Sequence, residues 1–115
     1  MTSRVNVGIV GLGYWGNNLA RTFSKARAAR LAHLCDLDPG QRAKLSDAHP
    51  GTRVSADYEA LLADDDVDAV VVATPPSRHH AMALAALRAG KHVWVEKPLA
   101  LTAAEGRELV QVARA

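Results

Sequence analysis

The chain holds one cysteine, Cys35, among 115 residues, so no internal disulfide can form, and its place in an apolar stretch beside Asp36 marks a small buried side chain rather than a nucleophile. Aromatic residues make up 4%, and Trp94, alternating with Val93 and Val95, is expected to pack within a buried strand rather than to stack on bases. No apolar run approaches the length of a membrane-spanning helix. The stretch Met1-Thr2-Ser3-Arg4 leads straight into an expected strand, without the apolar core of a signal peptide, and a cytoplasmic location is expected. Net charge is only +2 and the basic residues are dispersed, which argues against nucleic acid as a partner. The densest basic group, Arg21, Lys25, Arg27 and Arg30, falls where cations complement the negative end of a helix dipole.

Metal-ligand patterns are missing too. Asp64-Asp65-Asp66 cannot converge on one ion from a single turn and reads as a solvated loop. His79 and His80 diverge by about 100° on a helix. His33, His49 and His92 share no ligand spacing. No metal site is expected.

What the chain does have is an alternation of strand and helix signals. Apolar stretches at 4–10, 30–36, 53–54, 68–73 and 91–95 read as strands, and the β-branched run to Ala73 suits a parallel strand buried on both faces. Between them lie helix patterns. One starts near Tyr14, carries Leu19, Ala20 and Phe23, and ends near Ala28. Asp38 with Pro39 opens a second, and Asp57 caps a short third bearing Tyr58, Leu61 and Leu62. A fourth is expected from Ser77 to Ala89 with Gly90 as its left-handed end, and Thr102 with Glu105 forms a capping box for the last. The expected fold is one α/β domain over residues 1–115 with a doubly wound parallel sheet. Ligands of such sheets bind outside the carboxyl ends of the strands, where the strand order reverses.

That edge collects the residues with chemistry. Gly11, Gly13 and Gly16 form a GxGxxG run directly after the first strand. Gly11 permits a sharp exit from the strand, Gly13 lets backbone amides approach a pyrophosphate, and Gly16 lets the helix pack on the sheet. The amides of Tyr14 and Trp15, at the start of that helix, point at the phosphates. Their rings are expected to cover either the cofactor or a further domain. Asp36 follows the last glycine by twenty residues, where a carboxylate accepts both ribose hydroxyls and repels a 2′-phosphate. The expected cofactor is NAD rather than NADP. Asp38 lies past the strand end and is the poorer candidate.

The combination of Gly11-Leu12-Gly13-Tyr14-Trp15-Gly16, Cys35-Asp36-Leu37-Asp38-Pro39, Ala73-Thr74-Pro75-Pro76 with His79, and Gly90-Lys91-His92-Val93-Trp94-Val95-Glu96-Lys97-Pro98-Leu99 resembles the N-terminal domain of the glucose-fructose oxidoreductase, inositol dehydrogenase and MocA family. Glu96-Lys97-Pro98 is the most specific part. The resemblance implies hydride transfer between nicotinamide and a carbinol carbon of a sugar, polyol or nucleotide sugar, the last hinted at by the stretch from Tyr14 to Leu19. It implies that Lys97 contacts the substrate hydroxyl and assists proton transfer, a role that suits a partly desolvated lysine beside a cationic ring. Glu96 and Pro98 then shape the loop beside the nicotinamide, with a cis peptide before Pro98, and Thr74, Pro75 and His79 line the cofactor cleft.

In that family a second, mostly antiparallel α/β domain supplies a carboxylate and a histidine as acid and base. No residue of this chain takes those roles, so it is expected to be part of a longer, homo-oligomeric enzyme, and to bind NAD by itself with little turnover. Two other readings stay open: a non-catalytic NAD-sensing or interaction module, and an S-adenosylmethionine-dependent methyltransferase, which does not account for Glu96-Lys97-Pro98.

Overall fold

A computed structural model describes residues 4–115. The elements alternate throughout: β1 (Val5–Val10), α1 (Tyr14–Lys25), β2 (Ala29–Cys35), α2 (Pro39–Ala48), β3 (Arg53–Ser55), α3 (Tyr58–Leu62), β4 (Ala69–Val72), a 3₁₀ turn (Pro76–Arg78), α4 (His79–Arg88), β5 (His92–Val95) and α5 (Ala103–Arg114). The five strands form one sheet in the order β3-β2-β1-β4-β5, with every neighbouring pair parallel. Strand order reverses between β1 and β4, so their carboxyl ends flank the crevice expected of a doubly wound sheet.

Each face of the sheet carries its own core. On one, Ala20, Leu19 and Phe23 of α1 and Leu45 of α2 pack on Val7, Ile9, Leu31 and Val71. On the other, Leu61 and Tyr58 of α3 and Ala86 and Met82 of α4 pack on Val10, Ala32, Val70 and Val72. β1 and β4, central and covered on both faces, are near-continuous apolar runs, as a buried parallel strand requires. The capping residues behave as their side chains dictate. Asp38, Asp57 and Thr102 accept from the N–H groups of Gly40, Glu59 and Glu105, while Glu105 accepts in return from Leu101 N–H.

Four expectations need correcting. α1 stops at Lys25, three residues early, because the N–H of Ala26 turns back to Phe23 O and the chain enters β2 at once. The fourth helix does not begin at Ser77: Pro76 starts a 3₁₀ turn, and α-helix follows only from His79. Trp94 is not buried but 51% exposed, because β5 is an edge strand; Phe23 meets the indole edge-on with ring centroids 5.6 Å apart. Asp64 does not belong to a solvated loop. It is 8% exposed, while Asp65 and Asp66 beside it are exposed as expected.

Asp64 is buried because it has partners. Arg53 Nη1 donates to its Oδ2 at 2.6 Å, His33 Nδ1 lies 3.0 Å from the same oxygen, and the N–H of Asp66 donates to Oδ1 at 3.0 Å. The bond from Arg53 above all, then that from His33, holds the Asp64 carboxyl well below the ordinary carboxylate range despite burial. Among the described residues no helix is long and apolar enough to cross a membrane.

Candidate functional site

Gly11 leaves β1 with φ +94°, a region open chiefly to glycine, and a β-carbon there would lie 2.7 Å from Thr74 N and 2.6 Å from Ala73 C. Gly16, buried in the first turn of α1, sits so close to the loop that a β-carbon would meet Gly11 O at 1.8 Å. Around Gly13 the space is open, with nothing within 4 Å of where a β-carbon would be. The glycine loop is thus closed toward the protein and open toward solvent at its middle position. Gly13 makes no side-chain cap on α1, and no acidic residue occupies the first turn, leaving the amide end of the helix suited to an anion.

Asp36 stands one residue beyond the end of β2. Its Oδ2 accepts from Leu12 N–H at 2.6 Å and its Oδ1 from Asp38 N–H at 2.8 Å, so the carboxylate ties the glycine loop to the loop after β2. A carboxylate has about four acceptor positions, and these two bonds leave the rest for other donors. Asn17 braces the loop from α1. Its Nδ2 donates to Leu12 O at 2.6 Å and Gly13 O at 2.9 Å, and Arg42 Nη1 donates to Asp36 O and Leu37 O, both at 2.9 Å. The sequence reading missed both residues. Asn17 was detectable, since it lies one helical turn after Gly13; Arg42 was not, because its partners are backbone atoms of another segment.

Two cavities adjoin at the carboxyl edge of the sheet. One of about 470 Å³ is lined by Gly11, Asp36, Leu37, Tyr58, Thr74 and Pro75, with Arg78 and Met82. The other, about 350 Å³, is lined by Trp15, Thr74, Pro76, His79, Glu96 and Lys97. Thr74 belongs to both, and its Oγ1 is a buried polar atom without a hydrogen-bond partner. A buried hydroxyl of this kind costs stability unless something else satisfies it. Burial raises the Cys35 thiol and the Tyr58 phenol above their ordinary values, and Tyr58 Oη donates to Met82 O at 2.7 Å. Cys35, 2% exposed, is the inert buried side chain expected.

Most of the residues expected to form a site line these two cavities, in two groups. Gly11, Asp36 and Pro75 lie on the first cavity and Trp15, His79, Glu96 and Lys97 on the second, with Thr74 between. Gly13, Tyr14 and Gly16 lie on neither: Gly13 and Tyr14 line a separate cavity of about 660 Å³ with residues of α1 and α2, and the exposed Tyr14 ring meets Trp15 edge-on at 5.2 Å. The Lys97–Pro98 peptide is cis, as the resemblance implied. A dinucleotide fits these residues, which combine a glycine cradle, a helix amide end, a carboxylate with spare acceptor capacity and an orphaned hydroxyl. Among the described residues no cluster of three or more histidine, cysteine or acidic side chains is arranged for a metal ion.

Comparison with known proteins points the same way. Inositol 2-dehydrogenase 2 of Saccharopolyspora erythraea is 42% identical over 120 aligned residues, which cover 94% of this chain and 35% of that protein. The crystal structure of biliverdin reductase from Synechocystis sp. PCC 6803 in complex with biliverdin and NADP+ is similar, with a TM-score of 0.90 and 43% identity over 96% of this chain and 34% of that one. GenD2 from gentamicin A biosynthesis, crystallised with NAD, gives a TM-score of 0.93 and 35% identity over 99% of this chain and 32% of its own. The chain spans about a third of the length of these relatives. Residues 5–115 match the family described as "Oxidoreductase family, NAD-binding Rossmann fold". With its glycine loop, reversed strand order and residue match all in agreement, this chain belongs to that family and is its NAD-binding Rossmann domain.

Proposed function

We propose that this chain is the cofactor-binding part of a longer dehydrogenase that selects NAD over NADP and acts on a carbinol carbon of a sugar, polyol or nucleotide sugar. The observation that carries the choice of NAD is the Asp36 carboxylate, pinned beside the glycine loop by the amides of Leu12 and Asp38. A negative charge so fixed accepts hydrogen bonds from ribose hydroxyls and repels a 2′-phosphate. Gly11, Gly13 and Gly16, with the amides of Tyr14 and Trp15, hold the pyrophosphate. Thr74 and Pro75 form the wall between the two ends of the cofactor, and His79 and Glu96 frame the second cavity.

When bound, the nicotinamide ring gives or takes a hydride. Lys97, on the wall of the second cavity, contacts the reacting hydroxyl through Nζ: the neutral amine takes the hydroxyl proton when the carbinol is oxidised, and the ammonium returns it when the carbonyl is reduced. Glu96 supports the same loop: its N–H donates to Val72 O and its Oε1 accepts from Trp94 Nε1 at 3.1 Å. The relative named inositol 2-dehydrogenase 2 supports a polyol or sugar as substrate, and the greater length of all three relatives supports a second domain that selects it.

Calorimetry with NAD, NADP and S-adenosylmethionine tests the cofactor assignment. NAD is expected to bind at least about tenfold more tightly than NADP, because like charges face each other in the second case. Tighter binding of NADP or of S-adenosylmethionine overturns it. In the longer protein, Lys97→Ala is expected to lower turnover by about 10²- to 10⁴-fold with little change in NAD affinity.

A further inference from the structure

His79 is 1% exposed, yet both of its ring nitrogens have partners, and both partners are backbone carbonyl oxygens. Nδ1 lies 2.7 Å from Pro98 O and Nε2 lies 2.6 Å from Thr74 O. A carbonyl oxygen only accepts. A neutral imidazole carries one N–H, so one of these contacts would set a nitrogen lone pair against an oxygen lone pair at hydrogen-bond distance. Turning the ring over would put two C–H groups against the carbonyls and lose both bonds. The arrangement is satisfied when each nitrogen carries a hydrogen, and charge-assisted bonds are the short ones.

The two carbonyls belong to different loops. Thr74 follows β4, and Pro98 follows β5 next to Lys97. Glu96 is anchored to the sheet through Val72 O, and Leu101 N–H donates to Glu105 on α5. Between them, among the described residues, the bond from His79 to Pro98 O is the hydrogen bond that ties segment 97–100 to the body of the domain. The charged groups facing the ring are Glu96 and Lys97, which share its cavity. Its neighbour His80 turns to α5, with Nε2 at 2.6 Å from Glu108 Oε1 and Nδ1 at 3.7 Å from Glu105 Oε2.

We propose that His79 is a positioning residue whose imidazole, protonated on both nitrogens, straps the Thr74 carbonyl to the Pro98 carbonyl and so fixes Lys97 on the wall of the second cavity. This goes beyond lining the cleft, since the ring acts through the backbone of both loops. It rests on the reading of Lys97 given above.

Nitrogen-15 NMR of the labelled chain at neutral pH is the test. Two protonated ring nitrogens are expected for His79, each N–H protected from exchange, in contrast to the exposed His92. One pyridine-type nitrogen on His79 overturns the proposal. In His79→Leu, whose side chain has no donor for either carbonyl, the amide signals of Lys97 and Leu99 are expected to shift and broaden while those of Gly11 and Gly13 hold. Unchanged Lys97 and Leu99 signals also overturn it. If that variant fails to fold, the ring signals of the unaltered chain still decide. Failure of the Lys97 reading is separate, since it shows as retained turnover in Lys97→Ala whatever the state of His79.

Discussion

The two ends of the cleft are built in opposite ways. At the Asp36 end the glycine loop is locked by backbone geometry. The loop from Gly11 to Gly16 turns where no side chain fits, and the Asp36 carboxylate clips it to the next strand. At the Lys97 end, among the described residues, the hydrogen bond that ties segment 97–100 down comes from one buried side chain of α4, His79. The first end is held by steric limits on the glycine loop and by several side chains, Asp36, Asn17 and Arg42, whereas the second is held, in the proposal above, by His79. The difference suits the tasks proposed for the two ends, because a phosphate site gains from rigid amides while a proton-transferring group must be aimed.

The severest test of the rigid end is Gly16→Ala. Its β-carbon has no room against Gly11 O, so about 3 kcal/mol or more of stability is expected to go, together with NAD affinity. Thermal melting and calorimetry read the two losses. Melting unchanged from the parent chain would mean that the glycine loop is less tightly packed than its geometry requires.

Asp64→Asn probes a charged network away from both ends, and separates fold stability from the site. Loss of the bonds from Arg53 and His33 is expected to cost about 2 kcal/mol at neutral pH, a figure kept low because Arg53 is largely exposed. NAD affinity should hold. The folded state depresses the ionisation of Asp64, so its contribution is complete above the unfolded value of about 3.9 and fades as pH falls toward the folded one. In urea titrations, the gap between parent and variant should therefore be full at neutral pH and close in acid. A gap that widened in acid would contradict the network.

Thr74→Val addresses the wall between the ends and should give effects of opposite sign. Removing an orphaned buried hydroxyl is expected to leave the free chain about as stable or up to about 1 kcal/mol more so, while NAD binding weakens by about tenfold. Loss of stability without loss of affinity would show that the hydroxyl serves the fold and not the ligand.

Much of this was legible in residue order. The strand and helix alternation, the caps at Asp38, Asp57 and Thr102, and the glycine loop with Asp36 all follow from local rules of backbone conformation and periodicity. The errors fell where a distant partner decides. Asp64 was read as solvated because Arg53 and His33 are 11 and 31 residues away in sequence. Trp94 was read as buried because a strand at the edge of a sheet and one at its centre have the same alternation.

By itself, the sequence determined the kind of fold and the glycine loop proposed to hold a pyrophosphate, because steric limits on φ and the direction of helix amides operate over a few residues. Only the tertiary structure decided that His79 faces two carbonyls, that Thr74 borders both cavities, and that Lys97 joins the second of them. Those are distances between segments that meet when the sheet assembles, and chain order does not encode them locally.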